Sequence, residues 1–143
     1  MAGTIDAVGE GVGHFEVGDR VVALSPHAEY SVRRANADSL ADMSWVVALP
    51  DDVSWDAAPY YPLASGSVTW VDIEEIGPDD TVVILGQGLV GSLMLQVMKA
   101  RGNGYIVAVG ALDGRCQMAA DLGADRVINA AEEDPVAAVR KLT

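Results

Sequence analysis

The apolar run Val82-Val83-Ile84-Leu85 passes directly into Gly86-Gln87-Gly88-Leu89-Val90-Gly91, and this junction constrains the chain more than any other feature. A short apolar run bounded by turn residues reads as a buried strand. The residues that follow, LVGSLMLQVMKA, read as a helix. Three glycines between a strand and a helix each have a physical use. Gly86 permits a tight turn out of the strand. Gly88 lacks a side chain, so a ligand can approach the backbone. Gly91 lets the helix pack closely on the strand. The helix N-terminus offers free N–H groups and a positive dipole end to an anion. Together Gly86, Gln87, Gly88, Leu89, Val90 and Gly91 predict a cradle for the pyrophosphate of a dinucleotide. The blander alternative is a glycine turn that only joins strand to helix. The strand before it, the helix after it and the next strand favour the binding site. A Walker phosphate loop fits poorly, because no Gly-Lys-Ser/Thr follows.

The same junction explains a potentially misleading stretch. Thr81 to Met98 carries no charged residue over 18 positions, the crude length of a membrane span. Its glycines, glutamines, Thr81 and Ser92, and the change of apolar period within it, fit a strand, turn and helix better.

An alternation continues from there. Thr81–Leu85, 105–109 and 126–128 read as strands. Leu89–Arg101, 113–122 and 135–142 read as helices, with Gly102 and Gly123 just past two of the ends and Asp134-Pro135 opening the third. Strand and helix in strict turn predict a parallel sheet with helical crossovers. Upstream, the pattern is shorter and glycine-punctuated. Strands are expected at 3–8, 20–24, 28–33 and 46–49, with a polar loop at 36–44. Ser54 is a candidate N-cap for a short helix to Ala58, and 65–76 reads as a longer helix ended by Gly77-Pro78.

Composition narrows the function. The chain has 143 residues, half of them hydrophobic, so it can bury a core. Its net charge of −12 gives no electrostatic footprint for nucleic acid or for anionic lipid. A dinucleotide held by backbone N–H groups needs no basic side chain, so acidity does not exclude it. The single Cys116 excludes a disulfide framework and fits a reducing compartment. The start, MAGTIDAVGEG, shows no basic segment followed by an apolar one, so no signal peptide is expected and the cytoplasm is the expected location.

The second cofactor signal should lie at the end of the next strand, where an Asp or Glu commonly holds the ribose 2′-OH. That position is Gly110. Asp113 reads as an N-cap for its own helix. Glycine removes the carboxylate that would repel a 2′-phosphate, and Arg115 is placed to supply charge to one. The cofactor expected is NADP or NAD, with the balance toward NADP.

With these residues in hand, the chain resembles the medium-chain dehydrogenase/reductase family, the zinc alcohol dehydrogenase and quinone oxidoreductase group. The matching blocks are AGTIDAVGEGVGHFEVGDRVVAL at 2–24, HAEYSV at 27–32, LP at 49–50, the strand-glycine-helix block at 81–102, and LGADRVIN at 122–129. The resemblance implies an α/β fold. A partial GroES-like β region would cover 1–52, and half of a Rossmann-type parallel sheet would cover 53–143. It implies hydride transfer between a nicotinamide and an alcohol, ketone or activated alkene, with the dinucleotide and a small molecule as partners. It places Ser67 and Thr69 on the helix that approaches the nicotinamide.

Departures from the family are equally informative. Two of its catalytic zinc ligand sites would precede the 2–24 block, so the chain reads as truncated at both ends. The third would fall within 60–64, which is Tyr-Tyr-Pro-Leu-Ala and holds no metal ligand. With two histidines and one cysteine, no zinc of the usual kind is expected. His14 and His27 read as surface residues, Cys116 as a packed small residue, and Trp45, Trp55 and Trp70 as core or domain-contact residues. The strand at 81–85 is expected at an exposed edge, which favours low stability or a homo-oligomer. The alternative to an oxidoreductase is a non-catalytic dinucleotide-binding or interaction module.

Overall fold

The computed structural model describes residues 1–35, 45–102 and 104–143. They fall into two units, Met1–Pro62 and Leu63–Thr143, a division further along the chain than the 52/53 boundary that the resemblance implies. The polar stretch 36–44 lies outside the described residues.

The first unit holds a three-stranded antiparallel sheet of β1 (Ala2–Thr4), β2 (Arg20–Ala23) and β3 (Val46–Ala48), in that order. Gly3 lies opposite Val21, and Val22 opposite Val47. Val22, Trp45, Leu49 and Ala58 form its buried cluster. β1 is shorter than the predicted 3–8. Past Thr4, Ile5 still pairs with Asp19 and Gly18 (2.9 and 2.8 Å), and then the chain leaves the ladder. The strand predicted at 28–33 does not form. Its Tyr30 and Val32 are 72% and 93% exposed. Alternating residues make a strand only where a neighbour pairs and one face is buried.

Arg20 fastens this unit. Its guanidinium donates to the carbonyls of Pro50, Asp51 and Val53, the last at 2.6 Å. It also lies 4.5 Å from the Trp55 ring centroid, a cation–π contact. Trp55 is therefore a surface clamp, while Trp45 is the core tryptophan. The predicted helix at 54–58 is a capped turn: Ser54 Oγ accepts from Ala57 N–H at 3.2 Å, and a 3₁₀ turn follows at Ala58–Tyr60.

That turn leads straight into α1 (Tyr61–Ile73), which starts before the predicted Ser65. Pro62 does not prevent this, because the first helical turn has no intrahelical acceptors for its N–H groups. The helix ends at Ile73, short of the predicted Ile76, and the chain turns away at Glu75 with φ of 50°. Trp70 is half-exposed and lies over Gly66 rather than in the core.

The second unit is the predicted parallel sheet. β4 (Thr81–Leu85), β5 (Tyr105–Gly110) and β6 (Arg126–Asn129) run parallel in the order β4-β5-β6. Between them stand α2 (Leu89–Arg101) and α3 (Asp113–Asp121), and α4 (Pro135–Arg140) follows. β5 is central and buried on both faces, as its unbroken apolar run requires. Ile106 and Ala108 pack with Val71, Ile84, Leu95, Met98 and Ala119. Val107 and Val109 pack on the other face with Ile128 and Ala138. Full burial of a side chain such as Leu95 contributes about 1.5–3 kcal/mol. β4 is an edge of the described sheet, and Leu85 at its end is 78% exposed.

Helix ends follow local chemistry. Gly102, at φ of 70°, closes α2 by donating to Met98 and Lys99 carbonyls. Asp134 caps α4 by accepting from Val136 and Ala137 N–H. At the N-terminal end of the sheet, Asp125 accepts from Ile106 N–H at 2.8 Å and from Lys99 Nζ at 3.2 Å. The hydrogen bond from Ile106 is the main reason its carboxyl titrates below the ordinary value, and Lys99 adds to it. Among the described residues no helix is long and apolar enough to cross a membrane. The uncharged stretch 81–98 is β4, a loop and most of α2.

Candidate functional site

The glycine junction lies at the C-terminal end of β4, the edge of a parallel sheet where open α/β folds bind ligands. Gly86 N–H makes the last ladder bond, to Val109 O at 2.8 Å. Gly86 then turns at φ of 92°, a left-handed conformation that favours glycine. Gly88 is the N-cap of α2 with extended backbone, and no side chain caps it. A β-carbon at Gly88 would meet nothing within 4 Å. A β-carbon at Gly91 would run into the Gly86 carbonyl oxygen and lie 3.4 Å from Ile84 Cγ2. The three glycines thus have three separate reasons: a turn, an open approach, and a close helix-strand contact.

The side chains between them complete the cradle. Gln87 is buried, with 4% exposure, and its Nε2 donates to Ile84 O at 3.0 Å. Its Oε1 is buried and has no hydrogen-bond partner, and Ser92 Oγ in the first turn of α2 is in the same position. Leu89 is exposed and Val90 half-buried. Lys99 and Arg101 occupy the last turn of α2, where cations complement the dipole. The first turn has no basic residue, so the attraction for an anion there comes from uncapped N–H groups and the helix dipole. An open Gly88, an uncapped helix start and the unpartnered Ser92 hydroxyl, which can donate, fit a dinucleotide pyrophosphate, whereas Gln87 Oε1 is an acceptor and does not contribute.

The structure brings Gly110 to this loop. It is buried at the end of β5, and a β-carbon there would lie 3.5 Å from Gln87 Cγ. Its carbonyl accepts from Ala130 N–H at 2.7 Å. Arg115 stands exposed in α3, and its guanidinium makes no hydrogen bond or ion pair among the described residues. Asp113 is not the N-cap expected of it. Leu112 holds that position with no side-chain bond, and Asp113 Oδ1 instead accepts from Asn129 Nδ2 at 2.8 Å, linking α3 to β6.

Other candidates take structural roles. Ser67 Oγ donates to Leu63 O at 2.8 Å and Thr69 Oγ1 to Ser65 O at 3.1 Å, so both hydroxyls bond their own helix. His14 is exposed and bonds Ala35 O at 2.9 Å, and His27 is exposed. The residues present do not fit a catalytic zinc. Positions 60–64 hold no donor of the usual kind, and among the described residues no three His, Cys, Asp or Glu side chains converge. Sequence reasoning missed one residue at the site. Cys116 is packed, as expected, but against Gly110 itself. No signal in the sequence carries that contact.

Residues 90–143 match the family model for zinc-binding dehydrogenases. An alcohol dehydrogenase of Geobacillus stearothermophilus is 32% identical, over 92% of this chain and 46% of its own length. A quinone oxidoreductase of Salmonella typhimurium is 37% identical, over 99% of this chain and 43% of its own. Among solved structures, Escherichia coli quinone oxidoreductase complexed with NADPH superposes with a TM-score of 0.75 and 29% identity, across 99% of this chain and 43% of that one. The chain spans less than half the length of these relatives.

Proposed function

The chain belongs to the medium-chain dehydrogenase/reductase family, and from that premise we propose that it is the dinucleotide-binding portion of an NAD(P)-dependent oxidoreductase. The observation that carries this reading is the glycine junction, with Gly86 turned left-handed, Gly88 open and Gly91 tight against the Gly86 carbonyl. Gly86 to Gly91 receive the pyrophosphate through backbone N–H groups. Gly110 leaves room beside the ribose, and Arg115 supplies a charge for a 2′-phosphate. The preferred cofactor on this reading is NADP, a reading supported by the NADPH complex of the E. coli quinone oxidoreductase.

When bound, the nicotinamide would supply hydride transfer to or from an alcohol, ketone or activated alkene in the complete enzyme. The residues of this chain bind and orient the dinucleotide.

Fluorescence titration of the purified chain with NADPH and with NADH tests the reading. Saturable binding, tighter for NADPH, is the expected result. Binding of neither overturns it. Binding without turnover on a panel of alcohols, ketones and quinones is the result that the non-catalytic alternative requires.

A further inference from the structure

The two edges of the parallel sheet are built differently. β6 is guarded by charge. Arg126 pairs with Glu133 at 2.9 Å, and Asp125 and Glu132 flank the strand in sequence. β4 carries no charged residue, and among the described residues no strand pairs with its outer side. Gly86 N–H donates to Val109 O and Tyr105 N–H to Asp80 O, so the backbone groups of alternate positions from 80 to 86 face β5. Those of Thr81, Val83 and Leu85 therefore face outward. Natural sheets blunt an open edge with charge, and an edge without it is a template for another strand. The surface beside it is apolar. Leu85 is exposed at the end of β4, and α1, whose Val71 shares a buried cluster with Ile84, exposes Val68, Trp70 and Ile73. Neither 63–71 nor 81–98 contains a charged residue, in a chain of net charge −12.

The missing charge says which partner fits. A basic partner would be held by the acidic surface. A partner that is itself acidic docks only where neither side presents charge, because like charges brought face to face weaken binding. A second copy of this chain is such a partner, and a two-fold interface needs a self-complementary patch. We propose that two copies pair through β4. The strands run antiparallel about an axis at Val83, with Thr81 of one copy opposite Leu85 of the other. The outward N–H and C=O groups at 81, 83 and 85 then bond across the axis, and one continuous sheet crosses both copies. The charged β6 edges remain outside, so assembly stops at two. This inference goes beyond the dinucleotide reading and does not depend on it.

Sedimentation velocity of the full chain over a concentration series tests the pairing. A monomer–dimer equilibrium is expected, and it tightens by about tenfold from low salt to about 0.5 M as repulsion between two acidic copies is screened. Leu85→Lys places charge on the open edge, and Thr81→Pro removes an outward N–H at the first strand position, where proline is tolerated. Each weakens the dimer by about tenfold or more. Val136→Lys adds the same charge as Leu85→Lys at an exposed position of α4 and leaves the dimer unchanged. Circular dichroism and unfolding of the dilute Leu85→Lys chain match the parent, because Leu85 is exposed in the monomer. In amide exchange followed by NMR, Val83 and Leu85 N–H become protected as the dimer forms. A chain that stays monomeric at every concentration and salt overturns the proposal, which is the result expected if another segment or partner covers β4. So does a dimer that Val136→Lys weakens as much as Leu85→Lys, one whose Val83 and Leu85 amides exchange freely, or assembly past two copies.

Discussion

The two units differ in how they use glycine, for only the second crowds any of its glycines below contact distance, while Gly86, Gly88, Gly102 and Gly114 there are as open as those of the first. In Met1–Pro62, a β-carbon at any of Gly3, Gly9, Gly11, Gly13 or Gly18 would meet nothing within 4 Å. In Leu63–Thr143, a β-carbon at Gly91 or Gly104 would strike a backbone carbonyl, and one at Gly110 would strike Cys116. Open glycines without a positive φ, Gly3, Gly9 and Gly13, tolerate replacement, whereas Gly11 and Gly18 turn at φ of 82° and 97° and favour glycine. Crowded ones mark where helix, strand and loop approach so closely that a methyl does not fit. The difference tracks the secondary structure. The first unit has three strands of three or four residues and draws on one arginine to tie its sheet to the following loop. The second has a strand buried on both faces between helices. Tight packing and the candidate site occur in the same unit, where α2 is seated hard on the end of β4.

Five substitutions would break or sharpen this contrast. Gly91→Val carries the largest effect, a loss of about 3 kcal/mol or more, because its side chain meets the Gly86 backbone rather than a movable side chain. Urea unfolding measures it, and a variant as stable as the parent would remove the claim of close packing. In the first unit, Arg20→Ala should cost about 2 kcal/mol through lost charged hydrogen bonds and the Trp55 contact, read as a lower unfolding midpoint. Gly88→Val separates binding from folding. It should weaken NADPH by about tenfold or more while costing about 1 kcal/mol or less in stability, since nothing lies near its β-carbon. Equal losses in both would merge the roles of Gly88 and Gly91.

Asp125→Asn gives a smaller, pH-dependent effect of about 1 kcal/mol at neutral pH. The native carboxyl is held below its ordinary 3.8, first by the Ile106 N–H and then by Lys99. A depressed acid stabilises above its unfolded pKa and loses that contribution as pH falls through the folded one. The gap between parent and variant should therefore be full at neutral pH and close in strong acid, as measured by denaturant midpoints across that range. A gap that widens in acid contradicts the assignment. Gly13→Ala should change stability by less than about 0.5 kcal/mol, because its β-carbon enters open space and its φ is not positive.

Legibility from sequence follows the same division. β4 and α2 match their predicted bounds, because an apolar run, a glycine turn and a Gly102 stop are local signals. Asp134-Pro135 announced α4 for the same reason. The strand expected at 28–33 failed because its alternation says nothing about a pairing neighbour, which only the fold supplies. At the candidate site, the turn at Gly86 and the close packing at Gly91 are legible in the sequence, as is the absence of a side chain at Gly88. Gly110 was readable as a missing acid but not as a position closed by Cys116. That contact depends on how the 111–112 turn sets α3 against β5, and no periodicity encodes it.

Amide hydrogen exchange of the full chain with and without NADPH tests the central claim most directly. Protection confined to 86–92 and the end of β5, with the first unit unchanged, is the result expected if the glycine junction binds the dinucleotide. Protection centred elsewhere, or none at saturating NADPH, would contradict it.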